Sequence, residues 1–112
     1  MDIHNFISDW LAASNDFDIE KYLEFYHSDA ILDDPSVGKK FIGHKGIKDY
    51  FESYFIGYNT NTKLVNLNVK DAESAHLEVE FTGSFSEGKI GGIFDFKFKD
   101  TKIIFVKADL LH

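Results

Sequence analysis

Hydrophobic positions in the first half of the chain recur at helical spacing, and those in the second half alternate. Ile3, Phe6, Ile7, Trp10 and Leu11 fall at i, i+3, i+4, i+7 and i+8, one face of a helix. Asp2 is suited to cap it, and Ser14, Asn15 and Asp16 form a polar break. A second helix, capped by Asp16 or Asp18, carries the stripe Ile19, Tyr22, Leu23 and Tyr26, widened by Phe25, and ends at His27-Ser28-Asp29. The period then drops to two. Ala30, Leu32 and Asp34 alternate with Ile31 and Asp33 as in a short strand, which Pro35 stops because it cannot donate to a ladder. Ser36 to Gly38 form a turn, and Lys40 to Ile42 fit a second short strand. Gly43 opens a third helix with Ile47, Tyr50, Phe51, Tyr54 and Phe55 on one face and Gly57 as its stop.

Four long strands follow. Val65, Leu67 and Val69 alternate with polar neighbours, and Asp71 to Ser74 turn the chain. Leu77, Val79, Phe81 and Phe85 alternate next, with a turn at Glu87-Gly88. Ile90 to Phe98 form a strand loosened by Gly91-Gly92, and after Lys99 to Thr101 the last strand runs from Ile103 to Leu111. Helices first and strands last predict an α+β fold with segregated layers, in one domain spanning residues 1–112. Three amphipathic helices need one apolar sheet face to cover. A strongly twisted sheet that curls around them leaves a hollow at one end, the natural ligand site.

Composition narrows the function classes. The chain has no Cys, which removes disulfide frameworks and thiol nucleophiles. Its net charge is −7, which argues against nucleic acid as a partner. All 12 basic residues are Lys, so the bidentate fork that suits phosphate or carboxylate is missing. No apolar run approaches the ~20 residues of a membrane span, and Met-Asp-Ile-His does not start a signal peptide, so no membrane association and a cytoplasmic location are expected. The five His residues are dispersed without metal-ligand spacing, so no metal site is expected. Aromatic residues reach 16%, enough to line a cavity as well as fill a core.

The segment Tyr22 to Phe55 places Phe25-Tyr26, Asp29-Ala30, Asp33, Asp34-Pro35, Gly38 and Gly43 to Ile47 in a fixed order. This order resembles the central signature of the nuclear-transport-factor-2-like superfamily, and within it the SnoaL-like polyketide cyclases and ketosteroid isomerases. The resemblance covers nearly the whole chain. It implies a cone-shaped α+β barrel, with three N-terminal helices packed on a curved, mainly antiparallel sheet. It also implies a cavity for a small apolar ligand, pairing into a homodimer through the outer sheet face, and chemistry that needs no cofactor.

Candidate site residues follow from the two arguments together. Asp34 shares a strand face with Ala30 and Leu32 and so points into the cone. In the isomerase pattern the Asp before this Pro is the base that shuttles a proton beside a carbonyl, a task for which an apolar setting raises a carboxylate's basicity. Its other reading is a turn residue capping local backbone groups. Asp33 has the opposite parity and should be solvated. By the resemblance, Tyr26 matches a pocket tyrosine, whereas the positions of two other hydroxyls hold Trp10 and Phe51, with Tyr50 and Tyr54 adjacent. Asp95 lies near the second Asp of the isomerases and reaches the pocket only if Gly91-Gly92 forms a bulge, because Phe94, Phe96 and Phe98 otherwise take the inner face. Asp109 is a candidate for the acidic sheet-wall residue of the cyclases. Trp10, Leu32, Phe51, Tyr54, Phe55, Leu77, Val79 and Phe81 are expected to line the pocket. Three functions stay open: an isomerase or cyclase working through Asp34, a ligand-binding module without catalysis, and a protein-interaction domain. An epoxide hydrolase of this fold would use an Asp-Arg-Asp relay, which a chain without Arg lacks.

Overall fold

The order of elements in the computed structural model, which describes residues 1–111, is two helices, two strands and a third helix, then four strands. Helix α1 spans Ile3–Asn15, with the Asp2 carboxylate accepting from the Asn5 backbone N–H at 3.1 Å. Helix α2 spans Ile19–Glu24, capped by Asp18 on the Lys21 N–H at 3.2 Å. Strands β1 (Tyr26–Asp34) and β2 (Lys39–Ile42) precede helix α3 (Gly43–Phe51). Strands β3 (Asn61–Asp71), β4 (Ser74–Thr82), β5 (Lys89–Lys99) and β6 (Lys102–Leu111) complete the chain. Among the described residues no helix is long and apolar enough to cross a membrane.

The strands form one six-stranded sheet in the order β2-β1-β6-β5-β4-β3. All neighbours are antiparallel except β1 and β6, which run parallel. The chain's first and last strands therefore meet inside the sheet, as its second and third strands from the β2 edge, and the helices cover its inner face. Alternate residues of β4, β5 and β6 supply that face: Leu77, Val79 and Phe81, then Phe94, Phe96 and Phe98, then Val106 and Ala108. Asn15 fastens the end of α1 to the edge strand, accepting from the Thr62 N–H at 2.7 Å and donating to the Thr62 carbonyl at 3.0 Å.

Three boundaries differ from the periodic reading. Tyr26 fits the helical stripe of Tyr22, yet it opens β1, because the Ile103 N–H donates to the Phe25 carbonyl and draws the chain into the sheet. Helix α3 ends at Phe51 and continues as a wider π-turn over Glu52–Ile56. Gly57 closes that turn, where a Cβ would lie 2.6 Å from the Ser53 carbonyl oxygen. Phe85, expected in a strand, lies in the β4–β5 connection.

Candidate functional site

Inner-face alternation carries β1 through Ala30 and Leu32, both fully buried, to Asp34, which is 5% exposed. The aspartate does two things at once. Its Oδ1 accepts the backbone N–H and the hydroxyl of Ser36, at 2.9 and 2.5 Å, closing the turn that Pro35 starts. Its Oδ2 accepts the Tyr50 hydroxyl from α3 at 2.8 Å. Three donors on one carboxylate leave Oδ1 saturated and Oδ2 with one acceptor position. Burial, and then the neighbouring Asp34 charge, push the Tyr50 phenol well above its ordinary pKa, so it remains a donor.

Asp34 and Tyr50 form the floor of a cavity of ≈ 180 Å³. The π-turn contributes Tyr54 and Phe55, the segment leading to β3 contributes Tyr58 and Thr60, and the β4–β5 connection contributes Phe85 and Glu87. Phe81, Ile90 and Leu110 come from the sheet, and Ser36 and Val37 from the turn after β1. π-Turns are rare and cluster at functional sites. Here the wider turn follows directly on Tyr50 and carries two of the lining rings. Phe81 reaches the cavity over Gly92, where a Cβ would lie 2.2 Å from its ring. A side chain at that position would push the ring aside. Gly91-Gly92 thus makes room for an aromatic ring instead of forming a bulge, and β4 and β5 stay in register past it.

That continuous register decides the placement of the other carboxylates. Asp95 lies on the outer face, opposite the cavity, with its Oδ1 2.6 Å from His76 Nδ1. Asp109 also lies on the outer face, beside Ile93 of β5, and its Oδ1 accepts the Leu110 backbone N–H at 2.8 Å. Both expectations of a pocket position are corrected, because Phe94 and Phe96 take the inner positions on either side of Asp95, as Ala108 and Leu110 do around Asp109. Asp33 is half-buried on the same outer face, opposite Lys107.

Tyr26 is inward but does not line the cavity. Its hydroxyl accepts Trp10 Nε1–H at 3.2 Å and shares a 2.8 Å hydrogen bond with the Tyr22 hydroxyl. All three side chains are fully buried. Burial pushes the Tyr26 phenol to about 12, partly offset by those two hydrogen bonds, and burial also holds the Tyr22 phenol well above its ordinary value. Phe51 stacks on Tyr22 with ring centroids 4.0 Å apart. Trp10, Phe51, Leu32, Leu77 and Val79 therefore pack the core, and of the expected lining only Tyr54, Phe55 and Phe81 face the cavity. The sequence places Tyr50 on the inward face of the third helix, beside Phe51, but does not pair it with Asp34. Tyr58, Thr60, Glu87 and Leu110 gave no sequence signal, because the folding of loops and strand ends brings them to the mouth. Among the described residues no group of three or more His, Cys, Asp or Glu side chains is arranged to hold a metal ion.

A family model described as SnoaL-like domain matches residues 7–106. The chain belongs to the SnoaL-like domain family. Solved structures share the fold of this SnoaL-like domain. A candidate polyketide cyclase from Sinorhizobium meliloti superposes with a TM-score of 0.84 at 17% identity, covering 93% of each chain. A candidate ketosteroid isomerase from Kribbella flavida gives 0.83 at 14% identity, over 96% of this chain and 76% of that one. TerC, co-crystallized with polyporic acid, gives 0.81 at 16% identity, over 96% of this chain and 89% of that one. Identities this low establish the fold alone. No curated protein matches the SnoaL-like domain in sequence.

Proposed function

We propose that this SnoaL-like domain binds a small molecule of about one ring in the cavity above Asp34. Asp34 carries the reading. Its carboxylate is 5% exposed, and Oδ2 keeps one acceptor position beside the Tyr50 hydroxyl. A buried charge is unfavourable unless it is held, and a held charge in an apolar cavity gives a ligand its polar anchor. Size sets the scale. Apolar cavities of about 150 Å³ take up benzene, and this one measures ≈ 180 Å³. The co-crystal of TerC with polyporic acid is consistent with small-molecule binding by this fold.

Binding without turnover is the form that the geometry supports best. An enolate formed beside Asp34 would need preorganised donors for its oxygen. Trp10 Nε1–H and the hydroxyls of Tyr22 and Tyr26 are engaged with one another in the core. A cofactor-free isomerase or cyclase, with Oδ2 taking and returning a proton next to a carbonyl, is the second reading. The hydrogen bond from Tyr50 to Asp34 favours it, because it orients that oxygen. We also propose that two copies pair through the outer sheet face, where Ile31, Ile93 and Phe105 lie half-buried among charged neighbours.

Thermal unfolding across a panel of one-ring ketones, phenols and short lipids tests the binding reading. Bound ligand raises the melting temperature by mass action, about 2.7 kcal/mol at a hundredfold excess over Kd. An Ile90→Trp variant, which fills the cavity, should abolish the rise. A flat response of the unmodified protein throughout the panel would refute binding. Deuterium uptake from solvent into a bound ketone, lost in Asp34→Asn, would decide for the isomerase reading over simple binding.

A further inference from the structure

The polar atoms around the cavity are unbalanced in charge. Asp34 lies at the floor and Glu87 at the mouth, and among the described residues no Lys or His side chain lines the space. The Asp34 carboxylate receives only neutral donors, from Ser36 and Tyr50. Hydrogen bonds orient this charge, and among the described residues it forms no salt bridge: its cross-strand neighbour Lys39 stands over the Phe41 ring instead. Six of the thirteen lining residues are aromatic. Their rings touch in sequence: Tyr50 and Tyr54 have centroids 5.4 Å apart, Tyr50 and Phe55 5.7 Å, and Phe55 and Phe81 5.8 Å. At the rim Tyr58 and Phe85 meet edge to face at 6.3 Å. Aromatic faces present negative electrostatic potential, and an organic cation held against several of them is attracted to each. An anionic ligand would meet two carboxylates and the field of a chain with net charge −7.

We infer that the cavity takes a small organic ammonium ion, its N–H on Asp34 Oδ2 and its hydrocarbon part against the aromatic wall. The inference rests on the reading of this cavity as a small-molecule site and adds the charge of the ligand. One acceptor position on Oδ2 matches one N–H of a protonated amine. The size of the cavity restricts the hydrocarbon part to about one ring or a short branched chain.

Benzylamine and benzyl alcohol test the charge alone. Both carry one ring and one donor group, and only the amine is cationic at pH 7. Titrations followed by amide NMR shifts should place benzylamine at Tyr54, Phe55 and Ile90, with affinity roughly tenfold above the alcohol at low salt. The preference should fall to about twofold or less in Asp34→Asn and shrink as salt is raised. Glu87→Gln, on an exposed turn where folding is not at stake, should narrow the preference for the amine over the alcohol about twofold. If Asp34→Asn fails to fold, the salt dependence and Glu87→Gln decide, and a preference insensitive to both overturns the inference. Equal affinity for the two probes, with shifts at the cavity, overturns the cationic ligand while the small-molecule reading stands. Absence of cavity shifts with either probe overturns the inference, and absence of shifts across the neutral panel as well overturns the reading beneath it.

Discussion

Removing one hydroxyl, in Tyr26→Phe, separates the core network from the cavity. The Tyr26 oxygen accepts Trp10 Nε1–H at 3.2 Å and is paired with the Tyr22 hydroxyl at 2.8 Å, all among fully buried side chains. The substitution removes the shared partner of two buried polar groups. Each stranded group costs about 1–3 kcal/mol, so the variant should lose about 3 kcal/mol. For a domain of this size that lowers the melting temperature by about 12 °C. Tyr22→Phe leaves the Trp10–Tyr26 bond in place and should cost only about 1 kcal/mol. Urea unfolding followed by the emission of Trp10, the single tryptophan, reads both variants directly. Affinity for a cavity ligand should remain within about twofold of the unmodified protein in both, since neither side chain lines the cavity. A Tyr26→Phe protein as stable as the parent, or one that keeps its stability and loses binding, would refute this division of roles.

Further perturbations probe the fold and its surfaces. The phenols of Tyr22, Tyr26 and Tyr50 all sit above their ordinary pKa, Tyr26 at about 12, so the native state holds protons that the unfolded chain releases from about pH 10 upward. These phenols add no pH dependence below that point, and stability should fall as pH rises from about 10 toward 12, by about 1.4 kcal/mol per pH unit for each tyrosine; urea midpoints unchanged between pH 9 and 11.5 would contradict it. Gly92→Ala places a Cβ 2.2 Å from the Phe81 ring and should lose about 1–3 kcal/mol by overpacking, and cavity affinity with it; calorimetry showing a gain in stability would argue against the close approach. Among the described residues Thr62 Oγ1 is buried without a partner, so Thr62→Val should raise stability by about 1 kcal/mol in chemical denaturation, and a loss would mean that the hydroxyl is satisfied. If copies pair through the outer sheet, light scattering should give twice the chain mass for the parent and the chain mass for Phe105→Asp, and a monomeric parent would refute the pairing.

The position of Asp34 was legible because strand parity is local. Once Ala30 and Leu32 are assigned to the core, Asp34 follows them inward whatever the distant strands do. The same parity correctly set Phe94, Phe96 and Phe98 against Asp95. The double glycine obscured it, since a glycine in a strand marks either a bulge or a close approach. Only the position of the Phe81 ring distinguishes these, and that is a tertiary fact. Tyr26 shows the limit of periodicity, because four residues beyond Tyr22 satisfies a helix and says nothing about the pull of β6. The π-turn was illegible for a related reason. Tyr50-Tyr54 and Phe51-Phe55 pair equally well at α-helical spacing, and one extra residue per turn leaves no mark in the pattern.

The split between core and cavity was not legible at all. Trp10, Phe51 and Tyr54 are alike in sequence as aromatic residues on helix faces. Trp10 and Phe51 fill the layer between helices and sheet, where Trp10 meets Phe94 and Phe96 at ring distances of 5.1 and 5.3 Å. Tyr54 sits where the π-turn, the β4–β5 connection and the strand ends diverge. Which aromatic residue packs and which lines depends on the separation of these elements, and no local pattern encodes it.

A crystal of the SnoaL-like domain soaked with a one-ring ligand tests the central claim most directly. The account predicts density in the cavity between the π-turn and the β4–β5 connection, with a polar atom within hydrogen-bonding reach of Asp34 Oδ2. Density at the outer sheet face near Asp95 and Asp109 instead, or a ring turned away from Asp34, would contradict it.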